Sequence, residues 1–184
     1  MNRIIRYLIL SFIITIPQFS HAGLFELGSG FALNRSNYED GSYTWTRRYS
    51  FSFGYYFTQD SELECTFQDS VTRTVVTGVQ DVSFHDQVFS LDLNYYFLDE
   101  EAMFRPFVKG GVAQLNRDAT GSYSGGYRPP GRTDQLSAIL GAGAKVKLNQ
   151  HLGLKAEFST YLTGASIATW KDNLALMLGI SFFF

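Results

Sequence analysis

NLALMLGISFFF, residues 173–184, sets Leu174, Leu176, Leu178, Ile180, Phe182 and Phe184 at strict two-residue spacing. Successive side chains of a strand point to opposite faces, so one whole face of this segment is apolar. The other face carries Ala175, Met177, Gly179, Ser181 and Phe183, mostly small or weakly polar. Such a strand meets lipid on its oily side and fits the inside of a narrow barrel on the other.

The same alternation recurs upstream in runs of ten residues or more, the length a tilted membrane strand needs. Seven further segments follow this reading: Leu24 to Tyr38, Tyr43 to Phe57, Ser61 to about Thr74, about Val82 to Phe97, Phe104 to Asn116, Gln135 to Leu148 and His151 to Leu162. The clearest is the second, with Trp45, Tyr49, Phe51, Phe53, Tyr55 and Phe57 against Thr46, Arg48, Ser50, Ser52 and Gly54. In the fourth segment Val82, Phe84 and Val88 fall out of phase with the lower half, which predicts a bulge or a position above the bilayer. Turns near residues 59, 100 and 149 read as short, those near 78, 125 and 167 as longer, and Asp40-Gly41 as a tight exception. The expected fold class is all-β: one eight-stranded antiparallel up-and-down transmembrane β-barrel.

The first 22 residues have a basic start at Arg3 and Arg6, an apolar run from Tyr7 to Ile16, and Ser20-His21-Ala22. This layout predicts a secretory signal peptide cleaved after Ala22, with the barrel over 23–184. Removing Arg3 and Arg6 from the 15 basic residues leaves 13 against 17 acidic ones. The resulting charge of about −4 disfavours a nucleic-acid partner. The lone Cys65 permits no internal disulfide, and it reads as a small apolar strand residue. His85 and His151 with one cysteine do not make a metal site, and no cofactor motif is present.

Over its mature length the chain resembles the small eight-stranded outer-membrane barrels of the OmpA/OmpX type. In those proteins the closing strand's final aromatic, here Phe184, belongs to the signal read by the outer-membrane assembly machinery. The resemblance implies the bacterial outer membrane as location, contact with its lipid and lipopolysaccharide, both termini in the periplasm, and a monomer.

An eight-stranded barrel is just wide enough for side chains to fill it. The inward set holds Glu26, Glu62, Glu64, Asp92 and Glu157 against Arg48, Arg105, Lys109, Lys145, Lys147 and Lys155. This near balance predicts an internal ion-pair network, because bare buried charges are costly. The connection from Arg117 to Asp134 reads as a loop rich in Gly, Ser, Tyr and Pro, and its Arg117, Tyr123, Tyr127, Arg128 and Arg132 are candidates for binding lipid head groups or an external partner. Ser83 and His85, two apart on one strand, with Asp69 across the hairpin, form the one grouping suited to acyl transfer or hydrolysis. Outer-membrane enzymes acting on lipid A carry such residues near the outer rim, in the order His then Ser, whereas this chain has Ser then His. The expected function is a non-catalytic structural or surface-contact barrel. A lipid A acyl hydrolase or transferase is the alternative, and a narrow pore ranks behind both.

Overall fold

The computed structural model describes residues 25–38, 41–123, 131–163 and 174–184. These form eight strands: β1 (Phe25–Asn37), β2 (Tyr43–Thr58), β3 (Ser61–Val76), β4 (Gln80–Tyr96), β5 (Phe104–Tyr123), β6 (Arg132–Lys147), β7 (Leu152–Thr163) and β8 (Leu174–Phe183). Each pairs antiparallel with the next, and β8 returns to β1, closing the barrel. At the lower end Phe25 and Phe184 exchange both backbone hydrogen bonds, each 3.0 Å.

The alternation read from the sequence is the orientation observed. Phe51, Phe89, Leu91, Leu93, Val112, Leu140, Leu176, Leu178 and Phe182 all face outward and are exposed, while Glu62, Asp92, Asn94, Lys145 and Ser181 are buried inside. Cross-strand aromatic pairs tie the outer belt together, with ring centroids 5.1 Å apart for Phe31 and Tyr49 and 4.8 Å for Phe67 and Phe89. The belt's upper edge is marked where the outward position turns polar, at Arg35, Arg47, Asp69, Gln87, Gln114 and Asp134. The ladders set Asp69 opposite Gln87, and they set the belt residues Tyr49 and Leu33 opposite Asp69 and Arg47.

Three expectations are corrected above that edge. Of the two readings of the fourth segment only the bulge is overturned, since β3 and β4 stay in one register from Ser61–Tyr95 to Val76–Gln80, and the position above the bilayer is the one that fits. Val82 and Val88 are simply inward-facing and buried, and Val88 packs with Ala113, Leu115, Ile139 and Tyr161. Above the bilayer the outer face meets water and turns polar while the lumen accepts an apolar patch, so the alternation inverts without any change of phase. For the same reason the supposed loop from Arg117 begins and ends as strand: β5 runs to Tyr123, β6 begins at Arg132, and Asp118 pairs with both His85 and Arg132. Gly121, at φ +152°, is needed there, because a Cβ would lie 2.2 Å from the Asp81 carbonyl oxygen. The connection near Gly78 is likewise a tight turn over Thr77–Val79, with Gly78 at φ 71°. Among the described residues, β2 to β6, at 16 to 20 residues, outrun the ~9–11 residues of a membrane strand and project upward.

Candidate functional site

The lumen is filled in tiers. At the bottom Tyr56, Tyr96, Phe107 and Phe183 form a buried aromatic layer. The Arg105 guanidinium lies 4.3 Å from the Tyr96 ring centroid and donates to the carbonyl oxygens of Gln59 (2.6 Å) and Leu98 (3.3 Å). Lys147 donates to the Glu100 carbonyl at 2.6 Å. Both were expected in carboxylate pairs, and both instead tie down the lower turns. Their depth explains it: each sits beside a turn whose carbonyls lack ladder partners.

Above this layer Lys145 donates to Glu26 and Glu62, and at 3.1 Å to the Tyr56 hydroxyl. Tyr56 donates to Glu26 at 2.6 Å, Tyr96 donates to Glu62, and Asn94 donates to Glu62 and Glu64. A second centre follows. Lys109 lies 2.9 Å from both Glu64 and Glu157 and 3.6 Å from Asp92, and Lys155 lies 2.7 Å from Glu64 and 2.8 Å from Glu157. Five carboxylates thus share three ammonium groups in a medium where a lone charge costs several kcal/mol. Chemically this is a rigid bolt across the barrel, bonding β1, β2, β3, β4, β5, β6 and β7 through side chains.

The upper tier is open. A cavity of about 690 Å³ is lined by Arg48, Gln68, Ser70, Thr72, Asp86, Val88, Leu115, Arg117 and Tyr161, among others. Arg117 is inward on β5 and donates twice to Asp86, at 2.7 and 2.8 Å, so it is a wall residue and not a loop contact. Arg48, also expected in the network, stands apart from it. Among the described residues no carboxylate lies within ion-pair distance of Arg48, and its buried Nε has no acceptor. Arg132 is on the outside of β6, paired with Asp134 at 3.2 Å. Tyr123 closes β5, and Tyr127 and Arg128 lie outside the described residues.

Ser83 and His85 keep the outward phase of β4, just above the belt. His85 Nε2 and Asp69 Oδ2 are 2.7 Å apart. Among the described residues Ser83 makes no hydrogen bond to His85, so the nucleophile and base of a hydrolase are not assembled. No group of three or more His, Cys, Asp or Glu among the described residues is arranged to hold a metal. Cys65 is exposed on the lipid face, between Leu63 and Phe67.

The sequence reading missed one pair of residues. Arg35 and Arg47 are outward neighbours at the belt's upper edge. Arg35 lies 5.5 Å from the Tyr43 ring centroid and donates to Asn37, and Arg47 lies 5.9 Å from Trp45 and 5.4 Å from Tyr49. Extending the outward phases Phe31-Leu33-Arg35 and Trp45-Arg47-Tyr49 by one step would have found them.

A closed eight-stranded barrel with a lipid-facing apolar belt and a packed polar lumen is a small outer-membrane barrel. Residues 31–184 match the OprF membrane domain family, and the chain belongs to that family. It is 33% identical over 110 residues to outer membrane porin F of Pseudomonas aeruginosa, covering 59% of this chain and 29% of the relative. The chain thus spans under a third of that protein's length. Among solved structures, the N-terminal β-barrel domain of Pseudomonas aeruginosa OprF superposes with a TM-score of 0.58 at 22% identity, covering 89% of this chain and all of that one. Ail, the attachment invasion locus protein of Yersinia pestis, solved with the heparin analogue sucrose octasulfate, gives 0.52 at 14% identity over 87% and 96% of the two chains. The chain is an outer-membrane protein embedded in that membrane's lipid.

Proposed function

We propose that this chain is a non-catalytic barrel that braces the outer membrane and contacts envelope or external molecules at its outer rim. It is exported with cleavage after Ala22, inserted by the assembly machinery through the strand ending at Phe184, and works as a monomer. The carrying observation is the use made of its polar residues: Glu26, Glu62, Glu64, Asp92 and Glu157 are consumed in the bolt with Lys109, Lys145 and Lys155, Asp86 is held by Arg117, and Ser83 has no bond to His85. The test is mass spectrometry of lipid A from cells with and without the protein, and with Ser83→Ala and His85→Ala. Identical lipid A throughout is expected. An acylation change that either substitution abolishes contradicts the reading.

Arg35 and Arg47 supply the lipopolysaccharide contact of this proposal. Two guanidinium groups at head-group depth, stacked on aromatic rings and without a carboxylate among the described residues, suit phosphate groups of the outer leaflet. Arg35→Ala with Arg47→Ala is expected to cut severalfold the gain in heat resistance that added lipopolysaccharide gives the refolded protein. An unchanged gain argues against this contact.

A further inference from the structure

The ladder that closes the barrel stops early. β1 and β8 pair over six positions, from Glu26–Phe183 to Phe31–Leu178, while β1 pairs with β2 as far as Asn37 and β8 with β7 as far as Leu174. Ala32–Asn34 and Ala175–Met177 are described and would oppose one another in the same register, yet they are unpaired, and the cavity of about 690 Å³ is lined from both of these edges. Leu33, Leu174 and Leu176 are exposed outward, so the gap lies within the apolar belt, in its upper part. Unpaired backbone at lipid depth is tolerated only where it lines a cavity, and here it does. Arg48 is the cross-strand partner of Ala32, the first residue beyond the end of the ladder. Its guanidinium makes no ion pair among the described residues and its buried Nε has no acceptor; Asp86, across the cavity, acts on it only at longer range and is itself held by Arg117.

We propose that the β1–β8 gap is a lateral port through which a single-chain amphiphilic carboxylate of the fatty-acid class enters from the outer leaflet, its head group bound by Arg48. The chemistry follows the lining. A planar carboxylate matches the guanidinium fork, and Ser70 and Gln68 beside it offer further polar contacts. Val88, Leu115 and Ala175 give apolar wall to the first carbons, and Leu33 and Leu176 flank the exit for a tail that stays in lipid. The volume is within the ~300–1,000 Å³ range of small-molecule sites. The bolt below the cavity ends the path, so the port makes a binding site and not a channel.

The test uses the refolded full chain in nanodiscs with cis-parinaric acid, a fluorescent fatty acid, as the probe. Saturable binding is expected, at least tenfold weaker with Arg48→Gln and at least tenfold weaker with the corresponding long-chain alcohol as competitor in place of the acid. In a Cys65→Ser background, Asn34→Cys with Ala175→Cys places a disulfide across the gap. Oxidation of that pair is expected to abolish binding and reduction to restore it, which separates closure of the port from misfolding. Binding that survives the closed disulfide, that is indifferent to Arg48→Gln, that the alcohol displaces as well as the acid, or that never saturates overturns the proposal.

Discussion

Lys145→Met is expected to lower folding stability by about 3–5 kcal/mol, the cost of stripping the counter-charge from a buried group. Lys145 contacts both Glu26 and Glu62, and all three are almost wholly excluded from solvent. Met fills the volume but leaves two carboxylates facing one another across the lumen. Glu26→Gln and Glu62→Gln added to Lys145→Met should recover most of the loss, because removing a whole buried charge set is often near neutral. The exposed pair Arg73–Asp81, at 2.7 Å, is the control: Arg73→Ala should change stability little, as surface ion pairs contribute little. Urea titration of folding into liposomes, read by the mobility shift between folded and unfolded barrel, measures all of these. A single Lys145→Met variant as stable as the parent would show that the bolt does not hold the barrel together.

Gly143→Leu is the second large effect, at roughly 2–3 kcal/mol or more from overpacking. A Cβ at this inward position would lie 2.4 Å from the Ala156 carbonyl oxygen and 2.6 Å from Phe107 Cζ. The oxygen belongs to the neighbouring strand and yields only if the β6–β7 ladder opens. The ring belongs to the aromatic layer with Tyr56, Tyr96 and Phe183, so moving it disturbs the floor under Lys145. Gly110 faces outward, where a Cβ would meet Leu140 Cδ2 at 3.9 Å and nothing nearer. Gly110→Leu should therefore fold almost as well as the parent. Equal stability of the two variants would contradict the inward placement of Gly143.

The barrel was legible because lipid imposes one rule on every strand within its thickness. Phe51, Leu91, Leu140 and Leu178 could be assigned to the outside from spacing alone, and with them the inward phase of Glu62, Lys109 and Lys145. Where the lipid ends, the rule ends. Val82 and Val88 read as out of phase although their register is unbroken, and Arg117 read as loop although it lies on a strand. Partner choice was not legible either. Lys145 reaches Glu26 across 119 positions of sequence, and only the relative stagger of the strands decides that depth. Arg48, on the same inward face as Tyr56, sits too high for the bolt, while Arg105 and Lys147 sit too low. The gap between β1 and β8 left no trace in the pattern, since both edges alternate as well as any paired strand.

The aromatic floor, the bolt and the open upper cavity together describe a barrel sealed across its lower half, in which Tyr96, Glu62, Asp92 and Arg105 are at most 1% exposed. Single-channel recording of the purified, refolded chain in planar bilayers tests that most directly. The expected trace has no steady open level at neutral pH and moderate salt, because the aromatic floor and the bolt fill the lower lumen. A steady, large conductance carried by the folded protein would contradict the account.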